Sequence, residues 1–203
     1  MNLSKRSKRI ILQLICCVCF LFTASSIFRV SISKSPTIFS QKNVHTLNDK
    51  KTVLAEDKLN AAFLVRATEL FLLQIKYAQA AQTRAITVDV RELGKINEVF
   101  YTKKYLELIG ILGAKKYSMP TSLNRMDEER LSNLFSIIDD TFDETLCDEI
   151  AITNTKAIEI FENIRGKTKD HLIIDITSIS IPALYNQREY ALLCQNKFQK
   201  KMK

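Results

Sequence analysis

Between residues 57 and 82, Leu59, Ala62, Phe63, Leu70, Leu73, Tyr77, Ala78 and Ala81 recur at three- and four-residue steps with no intervening Gly or Pro. That is the spacing of one helical face, and it predicts a long first helix. A second is predicted over 87–112, with Val90, Leu93, Asn97, Phe100, Tyr101, Lys104, Leu108 and Ile111 on one broad face and Gly113 and the Pro120 loop as its stop. A short helix is expected over 127–137. A long one should open at Asp139-Asp140-Thr141, whose side chains can accept first-turn N–H groups. Phe142, Leu146, Ile150, Ala157, Ile158 and Phe161 give it an apolar stripe. Beyond Gly166 the pattern predicts a helical pair, 170–180 and 182–198, kinked at Pro182. Residues 172–177 are β-branched enough to read alone as a strand, but a lone strand has no partner here, so helix is assigned and the class is all-α.

The start of the chain has a different pattern. Lys5-Arg6-Ser7-Lys8-Arg9 precedes 19 uncharged residues, 10–28, whose end carries the small side chains Thr23-Ala24-Ser25-Ser26. This is the order of a secretory signal peptide. The stretch is also just long enough to cross a hydrocarbon core of about 30 Å, so an uncleaved N-terminal membrane anchor is the alternative for residues 1–28. Either way the basic cluster marks the cytoplasmic side, and the rest of the chain is expected in the periplasm or on the extracytoplasmic face of the membrane. Residues 29–54 are rich in Ser, Thr, Lys and Asn, contain Pro36 and have no sustained apolar period. They read as a flexible linker. Residues 55–200 are left as one helical domain.

Composition supports a folded chain: 46% of residues are hydrophobic and 26% charged. A domain of this size buries about 70% of its unfolded surface, so neither metal nor disulfide is required for folding. The net charge of +8 changes the picture only through its location. Residues 1–51 hold nine Lys and Arg against the single acid Asp49, and the remainder holds 21 basic and 21 acidic side chains. The domain has no net field to attract a polyanion, and nucleic acid is set aside as a partner.

Candidate chemistry is sparse. Of two histidines, His45 falls in the linker, and Asp170-His171 opens a helix, where Asp reads as a cap. The acidic runs 127–129 and 139–144 lack the alternating ligands and turn glycine of a calcium loop. Four glycines form no phosphate cradle, and no Ser-His-Asp set stands out. No enzymatic activity and no cofactor are expected. Cys147 and Cys194 are a candidate disulfide if their helices meet; a buried thiol at each is the alternative. Cys16, Cys17 and Cys19 read as apolar members of the N-terminal segment.

Over residues 57–194 the chain resembles a family of exported bacterial proteins, domain of unknown function 4142. The resemblance lies in Ala85 with Val90, Leu93-Gly94 and Leu108, in Phe142-Asp143 with Phe161, and in Ile181-Pro182-Ala183-Leu184. It implies a ferritin-like four-helix bundle, here with an extra short helix and a kinked C-terminal helix. Relatives carry histidines where this chain has Tyr101, Asn154 and Gln187, and an acidic residue of their first helix is replaced by Gln74 or Lys76. The three substitutes either form an uncharged inter-helix polar cluster or face solvent. The expected function is that of an exported, non-enzymatic helical bundle with an interaction or structural role. Its partner would be another protein or a second copy, with membrane attachment if the N-terminal segment stays. The alternative is a degenerate ferritin-like metal-binding or redox protein using Glu69, Glu98, Asp148 and Glu159.

Overall fold

A computed structural model describes residues 41–52, 54–138 and 140–201, so the expected signal or anchor over 1–28 lies outside the described residues. Six helices follow one another: α1 (Gln41–Lys51), α2 (Ala55–Arg84), α3 (Val88–Ala114), α4 (Arg125–Ser136), α5 (Phe142–Arg165) and α6 (His171–Lys201). No strand occurs among the described residues.

Helix α2 has no helix breaker over 30 residues and buries side chains nearly all round, from Leu64 and Val65 to Ala80 and Ala81. A helix buried on most of its sides belongs at the centre, and α2 packs against α1, α3, α4 and α5. Phe63 meets Phe161 at one end (5.0 Å, edge to face), and Arg84 lies over Phe142 at the other (4.4 Å), so α2 and α5 are antiparallel. The contacts of Phe71 with Tyr101 and of Ala81 with Gly94 make α2 and α3 antiparallel as well. Helix α6 returns along α5, with Tyr185 donating to Glu162 (3.0 Å) and Gln195 to Asp148 (3.2 Å). The result is two antiparallel hairpins, α2–α3 and α5–α6, joined by a crossover that carries α4.

Gly94 makes the first hairpin tight. A Cβ there would stand 2.6 Å from the Ala81 Cβ and 2.8 Å from the Ala78 carbonyl oxygen, so only a hydrogen fits between the helices. The core forms two clusters stacked along the bundle. One is centred on Phe63, Phe71, Tyr101, Phe161 and Leu184, the other on Tyr77, Leu93, Phe142, Leu146 and Ile150.

Four expectations need correction. The segment 29–54, read as a flexible linker, contains α1: Val44 is 2% exposed, and Asn48 donates to the Ser118 carbonyl (3.2 Å) and accepts the Ser118 N–H (2.6 Å). Two apolar residues, Val44 and Leu47, gave too weak a period to see, and the tertiary hydrogen bonds complete the helix's docking. The expected C-terminal pair is one continuous helix. Pro182 is exposed, so the carbonyl left without its N–H partner faces water, while Ile181 and Leu184 keep their place in the core. Gly113 does not stop α3, which ends in a Schellman pair from Tyr117 N–H to the Leu112 carbonyl (2.9 Å) and from Lys116 N–H to Gly113 (3.0 Å). Thr141 stands at the start of α5 without a side-chain capping bond.

Candidate functional site

Each helix of the bundle carries a buried polar side chain where it passes from one core cluster to the other. These are Gln74 between Phe71 and Tyr77 on α2, Asn97 between Leu93 and Tyr101 on α3, Asn154 between Ala151 and Ala157 on α5, and Gln187 between Leu184 and Ala191 on α6. A polar seam thus crosses the bundle at mid-height.

Of the three residues that the resemblance sets at histidine positions, two are joined directly: Tyr101 Oη donates to Asn154 Oδ1, and both residues are fully buried. Burial pushes the Tyr101 phenol well above its ordinary range, and the hydrogen bond to Asn154 only partly opposes this. Gln187 is buried on α6, but its Oε1 finds no hydrogen-bond partner. Gln74 Nε2 donates to the Ile150 carbonyl (3.0 Å), leaving Oε1 unpaired; both amide atoms of Asn97 and the Asn154 Nδ2 are unpaired too. Sequence spacing had put Asn97 on the buried face of its helix. Ser180, about two turns before Gln187 on α6 and buried with an unpaired Oγ, was missed because serine carries no periodic signal.

The seam is made of amides and hydroxyls. Such groups bind water or a neutral polar molecule by hydrogen bonds and are poor ligands for iron, manganese or zinc compared with carboxylate and imidazole.

The charged residues are elsewhere. Glu69 (0% exposed) and Asp127 (1%) are held by Arg66 at 3.2 and 2.9 Å, while Arg130 reaches Asp127 (3.6 Å) and Glu149. Tyr77 donates to Glu149 (2.9 Å), and Asn124 caps α4 by accepting the Asp127 N–H (2.9 Å). Burial, which outweighs the nearby Arg130, holds the Tyr77 phenol above its ordinary value. This network fastens the crossover helix to α2 and α5, and the guanidinium groups compensate the buried carboxylates. Of the other carboxylates named for a metal site, Glu98 accepts from Gln79 and Gln82, Asp148 from Gln195, and Glu159 is exposed. No three His, Cys, Asp or Glu side chains converge among the described residues.

Asp170 caps α6 as expected, accepting Leu172 N–H (3.1 Å) and Ile173 N–H (3.3 Å), and His171 is exposed. Cys147 and Cys194 are brought together as free thiols. The residues that carried the family resemblance have packing roles. Phe142 lies under Arg84, Phe161 against Phe63, Gly94 at the close approach, and Asp143 accepts Ile86 N–H (3.0 Å) and Thr87 N–H (2.7 Å) at the turn before α3.

No curated protein and no solved structure matches the chain. The family model described as Domain of unknown function (DUF4142) matches residues 48–192, well over half of the chain, from the docking end of α1 to the last buried turn of α6. The bundle thus belongs to that family.

Proposed function

We propose that this chain is an exported, non-enzymatic bundle of ferritin-like topology that acts by association, through the outward face of α3. Two antiparallel hairpins linked by a single long crossover support the ferritin-like reading. The basic and apolar N-terminal pattern supports the extracytoplasmic address.

The observation that carries the association is a heptad stripe on the solvent side of α3. Ile96, Val99, Lys103, Leu106, Gly110 and Gly113 recur at alternating steps of three and four, and all six are exposed, Val99 by 75% and Leu106 by 60%. That is the seam spacing of paired helices, and among the described residues no other element covers it. A Cβ at Gly110 or Gly113 would touch nothing.

The stripe is self-complementary. Laid antiparallel on a second copy, Ile96 meets Gly113, Val99 meets Gly110, and Lys103 meets Leu106 with Glu107 beside it. Ile96 and Val99 then oppose glycines, and Lys103 packs over Leu106 with its ammonium beside Glu107, which Lys104 of the same chain also holds at 2.7 Å.

Sedimentation of the full chain in mild detergent tests this reading. A dimer that becomes a monomer in Val99→Glu/Leu106→Glu with unchanged helicity supports it, and a wild-type monomer at high concentration overturns it.

A further inference from the structure

Cys147 on α5 is fully buried, and Cys194 on α6 is partly buried against the same apolar cluster. The helices are antiparallel here, with Gln195 bonded to Asp148 at the next position of each. The two thiols accordingly face each other, with no bond between the sulfurs, and Cys147 is placed to direct its S–H at Cys194. Only Cys194 reaches the surface. It lines a cavity of about 190 Å³ with Thr87, Val88 and Asp89 from the start of α3 and with Lys197 and Phe198. Lys197 and Asp89, 2.5 Å apart and both more than half exposed, put one charge of each sign at this cavity.

We propose that Cys194 and Cys147 form a reversible dithiol–disulfide couple, oxidised by a low-molecular-weight disulfide that enters at the Cys194 cavity. The inference does not depend on association through α3. A disulfide whose ends carry amino and carboxylate groups fits the Lys197 and Asp89 charges.

The chemistry proceeds in two exchanges. The Cys194 thiolate attacks one sulfur of the incoming disulfide; a new S–S bond forms, the old one breaks, and the other half leaves as a thiolate. Cys147 then loses its proton and attacks the Cys194 sulfur of the mixed disulfide, expelling the second half. Two protein thiols are oxidised, one small disulfide is reduced to two thiols, and the two protein protons end on them.

The surroundings divide the roles. The hydrogen bond from Cys147 holds the Cys194 thiol below its ordinary value; Lys197 assists, while burial and Asp89 oppose. The same hydrogen bond, burial, and the charges of Asp143 and Glu144 push Cys147 up. The accessible sulfur is therefore the better thiolate, and the buried one is placed to resolve the adduct.

The test uses the full chain, reduced and then incubated with excess oxidised glutathione, alkylated and mapped by mass spectrometry. The expected product is a linked peptide pair joining Cys147 to Cys194. In Cys147→Ala, Cys194 should accumulate as the glutathione adduct; in Cys194→Ala, Cys147 should remain a thiol. Recovery of both cysteines alkylated in the wild type overturns the proposal without recourse to any variant. So does an adduct forming on Cys147 in Cys194→Ala as fast as on Cys194 in Cys147→Ala.

Discussion

Asp143, at the first turn of α5, takes the backbone N–H of Thr87 at 2.7 Å and that of Ile86 at 3.0 Å, so one buried carboxylate holds the turn between α2 and α3. The contact fixes the far hairpin against the start of α5 across a sequence separation of 56 residues. Hydrogen bonds to an ionised acceptor each contribute about 1.5–3 kcal/mol, and removal of the acceptor leaves the donors unpaired. Asp143→Ala is expected to destabilise the bundle by about 3 kcal/mol. Asp143→Asn, which keeps one acceptor, should cost less. Denaturant midpoints of the two variants check the ranking.

Gly94 and Gly110 lie on one helix in opposite surroundings, and the same substitution should have opposite signs. At Gly94 the added methyl would meet the Ala81 methyl and the Ala78 carbonyl, neither of which can swing away. Overpacking of this kind costs about 1–3 kcal/mol. At Gly110 nothing of the same chain lies within 4 Å, so in the monomer Ala recovers helix propensity of about 0.5–1 kcal/mol. Thermal melts of the two single variants should move in opposite directions; movement in the same direction would contradict the close approach.

In the polar seam, truncation and replacement have different consequences. Tyr101→Phe removes the donor that satisfies Asn154 Oδ1 and leaves a fully buried acceptor, at a cost of about 1–3 kcal/mol. Asn97 has both amide atoms buried and unpaired, so Asn97→Leu removes the desolvation penalty while keeping the number and branching of side-chain heavy atoms. It is expected to raise the unfolding midpoint, and a fall would mean that Asn97 is satisfied in solution by bound water.

What the sequence made legible was whatever repeats with the helical period. The helices from α2 to α5 were placed within a few residues because their apolar spacing is set by burial along each element itself. Tyr101 and Asn154 emerged as a pair only through the family positions, since no spacing rule links a residue of α3 to one of α5. Helix α1 was missed because its docking rests on Asn48 and the Ser118 backbone, a contact 70 residues away. The same limit hid the Arg66–Asp127 pair and the partnership of Asp143 with the 86–87 turn, each made of polar residues that look solvated in isolation. The continuity of α6 through Pro182 depends on which side of the helix meets water, and phase from sequence alone was too coarse to give it.

Lys116 ends α3 with φ of 57°, in the left-handed region where a side chain clashes with the backbone. It occupies the position of the Schellman pair that glycine normally fills. Its side chain accepts no structural role that a glycine would lose, because Lys51 contacts only its carbonyl oxygen (3.4 Å). Lys116→Gly is expected to stabilise by about 1 kcal/mol. Equilibrium unfolding in urea checks it, and a destabilised variant would argue against this helix ending.

Asp170 couples the start of α6 to the end of α3 and gives the bundle an acid-sensitive contact. Burial alone would raise its carboxyl, but the Lys115 ammonium and the N–H groups of Ile173 and Leu172 bring it below the ordinary aspartate value. A carboxyl lowered on folding stabilises the native state while it is ionised there. The contribution is therefore present above the unfolded-state value, about pH 4, and disappears as pH falls through the lower folded-state value. Asp170→Ala should cost about 1 kcal/mol at neutral pH through the lost cap alone, and more with the ion pair to Lys115. The gap between wild type and Asp170→Ala should narrow below about pH 4 as the ionic part is protonated away. Urea midpoints of both proteins at pH 7 and pH 3 measure it, and a gap that stays constant or widens in acid would contradict the ion pair between Asp170 and Lys115.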